Sequence, residues 1–157
     1  MKSQSVTLNL EVHIIPVSDV EKSKQFYQRL GWRLDEDVSP IPGLRIVQFT
    51  PPGSGCSVTF GKGITAAAPG SAVGTLVVSD IQAAHDELVR RGIAASEMWH
   101  GAPFPLEARL PGPDPKRTSY GSFCAFNDPD GNAWLVQEVT TRRPAASDAA
   151  HVPNRDA

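Results

Sequence analysis

Apolar and polar positions along the chain fall into two sets of the same shape. Leu8 to Val17 reads as a strand. Val20, Tyr27 and Leu30 then recur on one stripe at helical spacing, with Phe26 beside it. Arg33 to Val38, Leu44 to Thr50 and Cys56 to Gly61 return to strand patterning. The turn formers Pro40-Ile41-Pro42-Gly43 and Pro51-Pro52-Gly53-Ser54-Gly55 separate them. This predicts β-α-β-β-β over residues 8–61. The order is predicted again over 73–140: a strand Gly74 to Val78, a helix 80–91 with Ile81, Ala84 and Leu88 on its stripe, then strands Ile93 to Met98, Tyr120 to Phe126 and Asn132 to Val139. A tight turn, Asp128-Pro129-Asp130-Gly131-Asn132, joins the last two strands. Residues 62–72 read as the linker.

The two sets are copies. Val17-Ser18-Asp19-Val20 matches Val78-Ser79-Asp80-Ile81 at an offset of 61 residues, and Gly31 matches Gly92 at the same offset. Ser18 with Glu21, and Ser79 with Gln82, predict capping boxes at the helix starts. Gly31 and Gly92 fit left-handed caps at the helix ends. Two stretches break the symmetry. Residues 99–119 carry five prolines along with Trp99, Phe104 and Leu106, which predicts a long loop packed on something: a lid over a ligand, or an anchored insertion. Residues 141–157 have little to bury and are expected to be disordered.

Composition narrows the function classes. A formal net charge of −2 gives no basic face for nucleic acid. No apolar run approaches the ~18 residues of a membrane span, and the first residues lack the apolar stretch of a secretory signal. Two cysteines, Cys56 and Cys124, do not make a disulfide framework, so a cytoplasmic location is the expectation. No glycine-rich phosphate loop is present, which argues against a nucleotide cofactor.

The opening "PVSDVEKSKQFYQRLGW" and the closing "FNDPDGNAWLVQE", set in paired β-α-β-β-β modules, resemble the vicinal oxygen chelate superfamily, which includes glyoxalase I, bleomycin-resistance proteins and extradiol dioxygenases. The resemblance covers roughly residues 9–140. It implies an α+β fold in which two tandem modules curl into an open, barrel-like sheet around a cleft, and it does not fix the reaction.

The resemblance also implies where a divalent ion (Mn, Ni, Zn or Fe) would sit. Its ligand positions, carried over to this chain, fall on His13, Phe60, Gly74 and Glu138, of which only His13 and Glu138 are ligand types. Glu11, on His13's strand face, offers a third oxygen. A catalytic site normally has three protein ligands. Two readings therefore stand: His13 and Glu138 bind a metal, or they form a metal-free polar pair that moves a proton as general base and acid. By period-2 alternation Trp134 and Val136 share Glu138's face and would wall a substrate pocket with Phe60 opposite; the bland alternative is a core tryptophan. Trp99 either closes over the ligand or anchors its loop.

The expected function is a glyoxalase-like enzyme acting on a small oxygenated molecule by isomerase, lyase or group-addition chemistry, with His13 and Glu138 as catalytic centre. The competing class is a non-catalytic drug- or metabolite-binding protein of the bleomycin-resistance kind, which needs no metal. A homodimer is implied by the resemblance, and unpaired edge strands invite it.

Overall fold

The structure is a computed structural model that describes residues 6–145. Most of the tail expected to be disordered, residues 146–157, lies outside the described residues. In chain order the elements are β1 (Val12–Ile14), α1 (Val20–Arg29), β2 (Arg33–Ile41), β3 (Leu44–Thr50), β4 (Ser57–Lys62), β5 (Val73–Val78), α2 (Ile81–Arg90), β6 (Trp99–Gly101), β7 (Arg109–Pro111), β8 (Ser122–Asn127) and β9 (Ala133–Glu138). A single 3-10 turn, Leu106–Ala108, precedes β7.

The strands form two mixed sheets of matching topology, β1-β4-β3-β2 and β5-β9-β8-β6-β7. In each, the strand before the helix pairs in parallel with the last strand of its module, β1 with β4 and β5 with β9. The duplication read from the sequence is thus a duplication of topology, and the fold is α+β with two β-α-β-β-β modules.

Both helices begin one residue later than a serine cap requires. Asp19 and Asp80 are the N-caps, their carboxylates accepting from Lys22 N at 3.0 Å and Ala83 N at 3.1 Å. The capping boxes on Ser18 and Ser79 do not form; Ser18 instead donates to Asp130. The helix ends are as expected. Gly31 and Gly92 have φ of +77° and +72°, and the amides of Trp32 and Ile93 close the cap on the carbonyls of Tyr27 and Leu88.

The strand expected over Ile93 to Met98 is absent. Ile93 is spent on the helix cap and Ala95 N turns back onto its carbonyl; Ser96 N makes a single bond to the Ala125 carbonyl of β8, and the ladder with β8 starts only at Trp99. The segment 99–119 is correspondingly not a structureless loop. Its β6 and β7 form a hairpin that widens the second sheet by one strand.

One core runs through both modules. Tyr27 of α1 lies on Phe60 and Phe49 of the first sheet, with ring centroids 5.4 and 6.1 Å away. Trp32 meets Trp134 of the second sheet edge-on at 5.4 Å. Leu88 of α2 joins the same cluster with Phe126 and Val136. A buried polar clamp fixes the modules to each other. The Tyr27 hydroxyl donates to Asp128 at 3.0 Å and accepts from Trp134 Nε1 at 3.1 Å. Asn132 Nδ2 donates to Asp128 and to the Pro16 carbonyl, and Asn132 Oδ1 accepts from Ala72 N. Burial, then the facing Asp128, pushes the Tyr27 phenol far above its ordinary range, so it stays a neutral donor.

Removing a buried acceptor strands its donors without water. Asp128→Ala is therefore expected to lose about 3 kcal/mol in urea unfolding, and Tyr27→Phe about 1 kcal/mol. A loss under half a kilocalorie for Asp128→Ala would mean that the clamp does not hold the modules together.

Candidate functional site

Each sheet has one face under its helix and one face without. Strand alternation decides which face a residue serves. In β4, Val58 and Phe60 are in the core cluster beneath α1, so Ser57 and Thr59 face the other way. In β9, Trp134 and Val136 are in that core, and Glu138 follows on the same face. Phe60 is packed among core side chains; Val136, also in the core, lines a small apolar cavity of about 160 Å³ beside α2 with Trp32, Leu76 and Leu88.

Glu138 is fully buried at the start of α2. One carboxylate oxygen accepts from Ile81 N at 2.8 Å; the other accepts from Arg117 Nε at 2.9 Å, and Arg117 Nη2 reaches the carboxylate as well. Arg117 arrives from the segment between β7 and β8 with a left-handed backbone (φ +49°) and also holds Asp80, the cap of α2. The Arg117 guanidinium and the Ile81 amide keep the Glu138 carboxyl below its ordinary range against the opposing effect of burial.

His13 sits elsewhere. It pairs with Val58 on β1 and lines a crevice of about 300 Å³ between the modules, with Cys56, Val58, Gly74, Leu76 and Trp134. Its Nε2 is buried without a hydrogen-bond partner. Trp134 and Glu138 are four residues apart on β9, roughly 13 Å along the strand. The structure brings His13 to Trp134 and Gly74 but does not pair it with Glu138.

This arrangement does not fit a metal. Both oxygens of Glu138 have other partners, and the Gly74 position is filled from the opposite side. A Cβ there would lie 2.4 Å from Trp134 Cζ3. The indole of Trp134, the register partner of Gly74 on the neighbouring strand, leaves no space for a side chain there. Among the described residues no group of three His, Cys, Asp or Glu side chains is close enough to hold an ion. Cys124 adds no nucleophile: burial pushes its thiol up to about 11.

The helix-free face of the second sheet carries different chemistry. Trp99 on β6 stacks on Phe123 of β8 with centroids 5.6 Å apart and planes 23° apart, and Leu135 and Ala125 continue the patch. The Arg109 guanidinium lies over the Trp99 ring, 3.9 Å from its centroid. Trp99 Nε1 donates to the Ala102 carbonyl, Arg109 Nη2 to that of Pro103, and Gln137 to that of Tyr120. The segment 102–120 is thereby folded onto an aromatic floor. Period-2 alternation along the strand Tyr120 to Phe126 offered a signal for Phe123; nothing in the sequence marked Arg109 or Arg117, whose roles depend on a hairpin and a left-handed turn.

Because Arg117 and the helix start favour the ionised Glu138, its contribution to stability is present above the ordinary carboxyl pKa of 4.5 and is lost as pH falls through the lower folded value. Glu138→Gln is expected to cost on the order of 2 kcal/mol near neutral pH. Its deficit in Tm should shrink in scans taken progressively below pH 4.5. A deficit that stays constant with pH would remove the charge from the explanation.

The comparisons agree with this geometry. Residues 9–136 match the family profile described as Glyoxalase/Bleomycin resistance protein/Dioxygenase superfamily. Among solved structures, TnmS3, an antibiotic binding protein from Streptomyces sp. CB03234, is 28% identical over 87% of this chain and 99% of its own, with a TM-score of 0.64. A glyoxalase/bleomycin resistance protein from the same organism is 30% identical over 83% of this chain and 100% of its own, at 0.59. A superfamily member from Sphaerobacter thermophilus DSM 20745 is 27% identical over 84% and 98%, at 0.62. No curated protein matches significantly. With a matching profile along most of its length and the duplicated topology to go with it, the chain belongs to the glyoxalase/bleomycin resistance protein/dioxygenase superfamily.

Proposed function

We propose that this protein binds a small, largely apolar and planar organic molecule, as an antibiotic- or metabolite-sequestering member of its superfamily, on the helix-free face of the second sheet. The observation that carries the reading is the Trp99–Phe123 stack, both rings buried beneath the segment 102–120, with a guanidinium over the indole. The rings are buried with Leu135, so they offer apolar area and a preferred ring orientation to a ligand that takes the place of the segment 102–120 over them. The cation above them marks where a flat ligand, or its polar rim, is received. TnmS3 supports the reading as a similar protein that binds an antibiotic.

The enzymatic reading loses its main support in the chain's own residues. A carboxylate neutralised by Arg117 and a helix start is a weak base, and it has no hydrogen bond to His13. A second, smaller reading attaches to the inter-module crevice, because the unpartnered His13 Nε2 is available there to a ligand's hydrogen-bond donor or acceptor. As part of the proposal the working protein is a cytoplasmic homodimer, in which a second copy covers the exposed helix-free faces. No helix among the described residues is long and apolar enough to cross a membrane.

The test is quenching of intrinsic tryptophan fluorescence by a panel of polycyclic aromatic antibiotics. Trp99→Ala is expected to weaken the best binder by about tenfold or more, from lost stacking and apolar area. His13→Ala should leave it within about twofold, a difference under half a kilocalorie. The opposite pattern moves the site to the crevice, and saturable binding unaffected by either change sinks both.

A further inference from the structure

The last turns of the two helices are joined by one side chain. Arg91, the C-cap of α2, sends its guanidinium across the module boundary, where Nη1 donates to the Arg29 carbonyl of α1 at 3.2 Å. A cation is favoured at that helix end. Gly31 admits it: a Cβ there would lie 2.5 Å from Arg91 Nη1. Arg91 Nε donates to Glu87, and Nη2 makes no hydrogen bond to any described residue. Glu87 does not depend on Arg91. Arg90 already holds it in a fork, Nε to one oxygen at 2.8 Å and Nη2 to the other at 2.7 Å. Arg91 can therefore turn to another anion without leaving a carboxylate unpaired.

Glu87 and Arg91 are the charged residues that line the cavity of about 160 Å³ beside α2; the rest of its lining is apolar. Both modules build it, with Leu30 and Trp32 from the first and Ala84, Leu88 and Phe126 from the second. Trp32, Leu88 and Phe126 belong to the core, and Trp32 is braced edge-on by Trp134, so the walls are fixed. Protein interiors leave few voids larger than a water molecule. A cavity of roughly 150 Å³ holds a benzene ring, and an apolar lining gives water too few partners to fill it. Phe126 and Phe123 alternate along β8 onto opposite faces, so this cavity is on the other side of the second sheet from the Trp99–Phe123 floor.

We propose that the cavity is a second binding site, independent of that floor, for a small aryl carboxylate. The volume limits the occupant to a single ring, and the aromatic walls Trp32 and Phe126 favour a ring over a chain. The unused donor of Arg91 selects an anion, with the ring in the apolar space and the carboxylate on the guanidinium at its rim.

The test is a titration of the ¹⁵N-labelled protein with sodium benzoate. The three tryptophans give three indole N–H signals. That of Trp32 should move saturably, with a Kd of about 1 mM or tighter, while that of Trp99 stays in place. Benzamide is the neutral twin of the probe, and the parent protein should prefer benzoate to it by about tenfold. Arg91→Met keeps the stem, removes the charge and should abolish that preference. Ala84→Leu puts a side chain into the cavity and should weaken benzoate by about tenfold or more, with the fold intact by circular dichroism. Arg91, 32% exposed at the rim, keeps the test decisive if the leucine disturbs the fold. No saturable shift, a shift confined to Trp99, or a preference that survives Arg91→Met each overturns the proposal. An Ala84→Leu variant that binds benzoate normally but associates less with its own copies overturns it too, and gives the groove to a second chain.

Discussion

A ten-residue helix can cover only one face of a mixed sheet, and this molecule has two sheets and two such helices. Everything distinctive about it follows from that shortage. The covered faces are pressed together by Tyr27, Trp32, Trp134 and Phe126 into one core. The uncovered faces retain apolar side chains: Ile14 and Val38 on the first sheet, Val73 and Val77 on the second. Burying them would release ordered water at roughly 25 cal/mol per Å². Only part of that is realised within the chain, where the segment 102–120 folds over Trp99 and Phe123. The rest is left exposed, which is why the proposed binding face lies on the side away from the helices.

The turn Asp128-Pro129-Asp130-Gly131-Asn132 has a larger part than reversing the chain between β8 and β9. Asp128 and Asn132 bind Tyr27 and Pro16, and Asp130 binds Ser18, all from the first module. A motif that looks like local turn chemistry is the polar half of the inter-module interface. The same reasoning explains Ser18. It does not cap α1 because an aspartate one residue on does so with a charge, and its hydroxyl is released for Asp130.

The architecture was legible in the sequence because it is written twice. Helix stripes, terminal glycines and alternating strands recur at one offset, and each signal is local. The site was less legible. Alternation correctly put Trp134, Val136 and Glu138 on one face, but it does not say whether a helix covers that face. It does, and so these residues are core or helix-end residues. Glu138 looked like a free carboxylate because its partner, Arg117, is brought in by a left-handed turn twenty-one residues earlier, with no periodicity to reveal it. Gly74 looked like a missing ligand; an indole from the neighbouring strand occupies the space. Trp99, read as either closing over a ligand or anchoring its loop, is buried on the helix-free face and stands at the start of a strand and not of a loop.

The β6–β7 hairpin has a consequence for how such a protein diversifies. β8 is held in register by β9 on its other side, and neither module's core includes any residue between Gly101 and Gly121. Residues can be gained, lost or exchanged around the 3-10 turn at Leu106–Ala108 without shifting a core side chain or the clamp on Tyr27. The tip of the stretch that roofs the aromatic floor is thus mechanically decoupled from the core, while Arg117 at its far end ties the stretch to Glu138 and the start of α2. Under the proposed binding role, exchanges confined to that turn would change what the roof admits while the core that holds the two modules stays as it is.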